Sequence, residues 1–166
     1  LPEAQLDRFM MKLLVETSSR EELTEVVTRT TEGIVVEAQK VMDGATINEW
    51  RAFIRQVLVA PAVKDYAVRL VLSTHPNGEY SAPITNQYVR YGASPRGAQS
   101  LILCAKVRAL LDGRYNVAYA DLQEVARPCL RHRLILNFEG EAEGVSTDRV
   151  LDEILAHVPQ TLDGGK

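Results

Sequence analysis

The stretch from Ser94 to Gly113 constrains this chain more than any other. Ser94 is a good N-cap, Pro95 suits the first helical position where its missing N–H costs nothing, and Gly113 suits a left-handed C-terminal stop. Between them, Leu101, Ile102, Leu103, Cys104, Val107, Leu110 and Leu111 leave little polar circumference. A helix that is apolar nearly all round has to be covered on most sides, so it is expected to be the central, most buried element.

The surrounding sequence supplies the cover, mainly as further helices. Ser19 and Glu22 have the spacing of a capping box, with Leu23, Val26, Val27 and Thr30 on one face behind it and Gly33 at its end. Thr46 and Glu49 repeat that spacing ahead of Trp50, Phe53, Ile54, Val57 and Leu58, a strong amphipathic stripe. Pro61 restarts the chain, and Val63, Tyr66, Ala67, Leu70 and Val71 form the next stripe. Residues 75–92 read as turns, with Pro83 set against a regular helix and Tyr88–Tyr91 extended. Asp121 opens a helix carrying Leu122, Val125, Ala126, Cys129 and Leu130, with Pro128 as a kink or junction. Leu134–Leu136 reads as extended, 139–144 as an acidic loop, and Ser146 or Thr147 as the cap of a last helix before a frayed tail at 162–166. One segment stands apart. Phe9–Val15 is a nearly continuous apolar run, as expected of a strand covered on both faces of a parallel sheet, yet no second strand of comparable strength follows it. The predicted class is mainly α: a helical bundle preceded by one orphan strand, with short extended segments.

Composition narrows the function classes. Of 166 residues, 46% are hydrophobic and 25% charged, the profile of a folded globular chain. No apolar run reaches membrane-spanning length. Lys and Arg number 19 against 22 Asp and Glu, so the basic excess of a nonspecific nucleic-acid binder is missing, and the same balance argues against a helix-turn-helix DNA binder. Two cysteines, Cys104 and Cys129, do not make a disulfide scaffold and read as buried thiols of a cytoplasmic protein. Opening on Leu1-Pro2-Glu3 rather than Met, the sequence reads as part of something longer.

Candidate chemistry concentrates on arginines. Arg96 falls in the first turn of the central helix, where free amides and the helix dipole disfavour a cation unless an anion such as phosphate is brought there. Gly97 beside it would allow close approach of a ligand or another backbone. The plain alternative is an exposed arginine after an N-cap. Arg8, just before the apolar run, is either a surface residue or one that reaches a ligand or neighbouring subunit. Arg131-His132-Arg133 sits at a helix end, where the dipole alone accounts for the positive charge. Cys129 and His132 lack further ligands for a metal, and Glu139, Glu141 and Glu143 lack the spacing of a calcium loop. No phosphate-cradling loop, zinc-protease motif or nucleophile elbow occurs.

Several segments together resemble one family. Leu1-Pro2-Glu3-Ala4-Gln5-Leu6-Asp7-Arg8-Phe9 is similar to the segment before the last core strand of MoxR-type AAA+ ATPases, and Tyr91-Gly92-Ala93-Ser94-Pro95-Arg96-Gly97 resembles their sensor 2 motif. Leu111–Val117 and Leu130–Leu134 also resemble family segments, in the expected order. The resemblance implies 1–18 as the end of the AAA+ core and 19–166 as a C-terminal helical region including the lid. It implies that Arg8 is an arginine finger acting in trans, and that Arg96, with Ser94 and Gly97, contacts ATP phosphates within its own subunit. It also implies a homo-oligomeric ring, a hexamer in the family, with ATP and Mg held by the parent protein and von Willebrand factor A domain proteins as partners in remodelling or maturation. The phosphate loop, the magnesium-binding motif and the first sensor residue are missing from these residues, so the isolated chain is expected to be inactive and to bind no cofactor alone. The competing reading is a free-standing helical adaptor whose arginines make only surface contacts.

Overall fold

The computed structural model describes residues 3–33 and 37–161. It is built mainly from helices: α1 (Glu3–Leu6), α2 (Arg20–Thr31), α3 (Gly44–Gln56), α4 (Pro61–Leu72), α5 (Pro83–Tyr88), α6 (Pro95–Leu111), α7 (Tyr119–Leu130), α8 (Phe138–Ala142) and α9 (Thr147–His157). Two short strands, β1 (Val89–Tyr91) and β2 (Ile135–Leu136), pair antiparallel with Val89 opposite Leu136. The tail at 162–166 lies outside the described residues.

The central helix is where its composition puts it. α6 packs on α7, α4 and α3, and its Gly97, Ser100, Leu101, Cys104, Ala105 and Ala109 are buried. The α4 stripe is likewise buried at Val63, Tyr66, Ala67, Leu70 and Val71. Leu122, Ala126, Cys129 and Leu130 of α7, with Val150, Leu151 and Ile154 of α9, complete the core. A parallel bridge joins the two interhelical links: Leu58 donates its N–H to Tyr115 and accepts from Val117, at 3.0 and 2.9 Å.

Caps explain most boundaries. Ser19 and Glu22 form the expected capping box on α2, and Ser94 and Ser146 cap α6 and α9. Gly33 and Gly113 adopt positive φ after α2 and α6. Four expectations are corrected. First, α3 begins before Thr46, because the Asp43 carboxylate accepts both the N–H and the hydroxyl of Thr46 and takes the cap from it. Second, Pro83 starts a helix instead of preventing one, since it occupies the first turn of α5 where no N–H is needed. Third, 139–144 is not a loop: Asn137 accepts the Gly140 N–H and nucleates α8. Fourth, of the two alternatives for Pro128 the junction is excluded, since it lies inside the last turns of α7, which continues to Leu130.

The Phe9–Val15 run forms no strand. Its one backbone–backbone bond to the bundle among the described residues is Lys12 N–H to the Pro128 carbonyl at 2.8 Å, and its apolar side chains are exposed. Sheet pairing needs a partner edge, and β1 and β2 pair only with each other among the described residues. The apolar face of α2 is also uncovered: Leu23, Val26 and Val27 are each about half exposed. No helix among the described residues is long and apolar enough to cross a membrane.

Candidate nucleotide-facing site

The start of α6 is held by α4. After α4 the chain turns through Ser73 and Thr74, both fully buried. The Thr74 hydroxyl donates to the Val71 carbonyl at 2.6 Å and accepts the Ala93 N–H at 2.9 Å, while His75 Nε2 donates to the Ala93 carbonyl at 2.9 Å. The residue between these chains must be small. A Cβ on Gly92 would lie 2.5 Å from the Thr74 carbonyl oxygen. Ala93 is thus pinned from both sides, and Ser94 enters α6 in a fixed direction.

Ser94 Oγ then accepts the Arg96 N–H at 3.2 Å. The same hydroxyl lies 2.8 and 2.9 Å from the two carboxylate oxygens of Asp7. Arg96 extends from the first turn with 53% of its side chain exposed, and its Nε is 4.0 Å from Asp7. Gly97 faces the other way. It is buried, its N–H bonds the Ser94 carbonyl at 2.8 Å, and the space a Cβ would enter is bounded by Leu130 at 3.0 Å and Ala93 at 3.1 Å. The close approach it permits is that of α7. Arg8 is exposed on the segment adjoining Asp7. The structure therefore brings Arg96, Ser94 and the Arg8 segment together at one end of the bundle.

Sequence reasoning missed what holds that segment. Arg133, assigned only a dipole role, has 1% of its side chain exposed. Its Nε donates to Asp7 Oδ1 at 3.1 Å. Its terminal nitrogens donate to the carbonyls of Asp7 at 2.9 Å, Phe9 at 2.7 Å and Met10 at 3.4 Å, to Ser100 Oγ at 3.1 Å, and to the Cys129 carbonyl. A planar fork with five N–H donors suits such a multiple role where a lysine would not. Next to it, His132 Nε2 donates to the Phe9 carbonyl at 3.0 Å, its Nδ1 being buried without a partner among the described residues. Burial pushes the His132 pKa below the ordinary range, and the bond to Phe9 opposes that only in part. The imidazole is accordingly neutral at pH 7. A buried guanidinium could not have been told from an exposed one by its position at a helix end. The available signal was its spacing, four residues after the buried Cys129 and three after the buried Leu130.

Comparison with known proteins gives this end of the bundle a context. Residues 81–154 match the AAA lid domain family. The chain is 33% identical over 159 residues to Chaperone MoxR1 of Mycobacterium tuberculosis, covering 95% of this chain and 42% of that protein. It is 26% identical over 172 residues to Protein MoxR of Paracoccus denitrificans, covering 96% and 50%. A crystal structure of a proposed ATPase from Cytophaga hutchinsonii superposes with a TM-score of 0.87 at 38% identity, over 96% of this chain and 48% of that one. This is a MoxR-type AAA+ lid region. The chain spans about half the length of the relatives it matches. Within the lid, the matched residues run from α5 to α9 and include the whole of α6 with its capped, arginine-bearing start.

Proposed function

We propose that this lid serves ATP binding and hydrolysis in a MoxR-type AAA+ ATPase and passes the nucleotide state on to protein-complex remodelling or maturation. Arg96 faces the phosphates of the nucleotide in its own subunit, and Arg8 reaches as an arginine finger to the nucleotide of the neighbouring subunit in a homo-oligomeric ring. The observation that carries the reading is Arg96 itself. It is a half-exposed cation in the first turn of a helix whose start is fixed by Thr74, Ala93 and Ser94; the Asp7 carboxylate, 4.0 Å from its Nε, offsets the unfavourable dipole only loosely, and the exposed guanidinium suits a further anion such as phosphate. An open groove of about 270 Å³ between α4 and the start of α6, lined by Val68, Leu72, His75, Pro95 and Ala98, adds apolar surface alongside.

In this reading the phosphate loop and the Mg ion belong to a nucleotide-binding core, and the lid's contribution is positive charge placed on a phosphoryl group in transfer. In the ATPase that joins this chain to such a core, Arg96→Ala is expected to lower ATP turnover about 100-fold or more. Arg8→Ala is expected to lower kcat with nucleotide affinity held within about twofold, since a finger supplied by a neighbour acts on the transition state. Turnover assays and nucleotide titration measure both, and normal activity in the two variants removes the assignments. The chain alone is expected to give no turnover; ATP hydrolysis by it that disappears with Arg96→Ala would overturn this reading. The partners that fit are von Willebrand factor A domain proteins, and nucleotide-dependent co-purification with such a domain tests that part.

A further inference from the structure

We infer that Asp7 and Arg133 form a latch that positions Arg8, so that the segment carrying the finger moves as one body with the helix carrying Arg96. The inference rests on the role proposed above for Arg8. Its observations are independent of that role. Arg8 lies between two residues whose carbonyls, those of Asp7 and Phe9, both accept from the same Arg133 nitrogen, at 2.9 and 2.7 Å. The Asp7 side chain is fixed at both of its oxygens, by Arg133 Nε at 3.1 Å and by the Ser94 hydroxyl at 2.8 and 2.9 Å. Ser94 is in turn the cap that orients the Arg96 N–H. His132 and Lys12 continue the attachment, through the Phe9 carbonyl and the Pro128 carbonyl.

This arrangement exceeds what anchoring a short segment needs. The segment is otherwise poorly held, because Phe9, Met10, Leu13, Leu14 and Val15 are exposed and contribute little burial. A buried guanidinium left without its acceptors is costly, so Arg133 and the Asp7–Met10 backbone hold each other in one geometry. The consequence is directional. Any rotation of the lid that carries the start of α6 also carries the Arg8 backbone, and a change at Arg96 is transmitted to a side chain aimed at another subunit. Asp7 and Arg133 are positioning residues, acting through Arg8.

Two measurements test the latch. The first uses the chain itself. In Asp7→Ala and Arg133→Met, the Phe9 and Lys12 amides are expected to exchange about tenfold or more faster than in the parent chain, with α6 and α7 amides unchanged. Unchanged exchange at Phe9 and Lys12 in Asp7→Ala overturns the latch. Should Arg133→Met not fold, Asp7→Ala decides the matter alone, since Asp7 is partly exposed. The second uses the ATPase containing this chain and its core. Asp7→Ala is expected to lower kcat about tenfold, and the Asp7→Ala, Arg8→Ala double variant to be no slower than Arg8→Ala. Additive losses in kcat show Asp7 acting otherwise than through Arg8 and overturn the inference. Normal kcat in Arg8→Ala removes the role proposed for Arg8 and the coupling with it, whereas the exchange result bears on the latch alone.

Discussion

Two ionisable side chains contribute to the acid response of this chain, in separate pH windows. The His132 pKa is depressed by burial, so the folded state resists the proton while the unfolded chain takes it up near its ordinary value of about 6.5. The unfolded state then binds more protons between those two values, so stability drops as pH is lowered through that window, the contribution being complete only above about pH 6.5. Melting temperature measured from pH 7.5 to 5 is expected to decline, and His132→Gln, which keeps a donor for the Phe9 carbonyl, is expected to flatten the decline. Asp121 acts lower. Its carboxylate accepts two N–H groups from Arg114 and the Ala118 N–H at 2.7 Å, and the Arg114 bonds hold its pKa below the usual carboxylate range. That contribution is present above about pH 3.9 and is lost as pH falls through the lowered value. Asp121→Asn removes it, and is expected to cost about 1–3 kcal/mol at pH 7 by denaturant titration, because one buried acceptor can no longer satisfy Arg114 and Ala118 together. A third residue acts through space alone. Gly92→Ala would drive a Cβ into the Thr74 backbone, so a loss of about 1–3 kcal/mol is expected together with a displaced start of α6.

At the scale of elements, the helices were legible wherever local chemistry decided them. Ser94-Pro95 and Gly113 bracket α6 because the N-cap, the missing N–H and the positive φ are all local properties. The α4 stripe was legible for the same reason, as Val63, Tyr66, Ala67, Leu70 and Val71 recur at helical spacing and are the buried side of a helix packed on α6 and α7. What escaped were choices between competing caps and choices that depend on distant partners. Asp43 outcompetes the Thr46 box because one carboxylate accepts twice. Phe9–Val15 has the composition of a covered strand, but pairing depends on an edge that composition does not report. The site divides in the same way. Arg96 and Ser94 could be read from the helix start, whereas the Asp7–Arg133 contact joins residues 126 positions apart and leaves no local trace. The centrality of α6 has a direct measurement. Leu101 is fully buried, and Leu101→Ala is expected to cost about 2–5 kcal/mol in denaturant titration, while Leu111→Ala, at an exposed position, is expected to change little.

At the scale of the whole molecule, stability is uneven, and the division runs between α2 and the bundle. α2 has good local chemistry: its capping box, its acidic first turn and the Glu25–Arg29 pair at 2.6 Å all favour helix. None of its residues is buried, however, and a helix of 12 residues has marginal stability in water without tertiary contacts. Surface pairs of this kind contribute only about 0.3–0.5 kcal/mol each. The sum cannot approach the protection that α6 receives from α4 and α7. Native-state amide exchange at pH 7 is therefore expected to separate the two by several orders of magnitude, with α2 exchanging close to the rate of an unstructured peptide and the α6 amides at Leu101–Ala105 among the slowest. Leu23, Val26 and Val27 supply the control. Replacing all three with Ala should leave the melting temperature of the bundle within about 2 °C, since each is about half exposed and α2 contributes no buried residue. A large drop in melting temperature, or slow exchange in α2, would mean that the face is covered after all and that α2 is integral to the bundle.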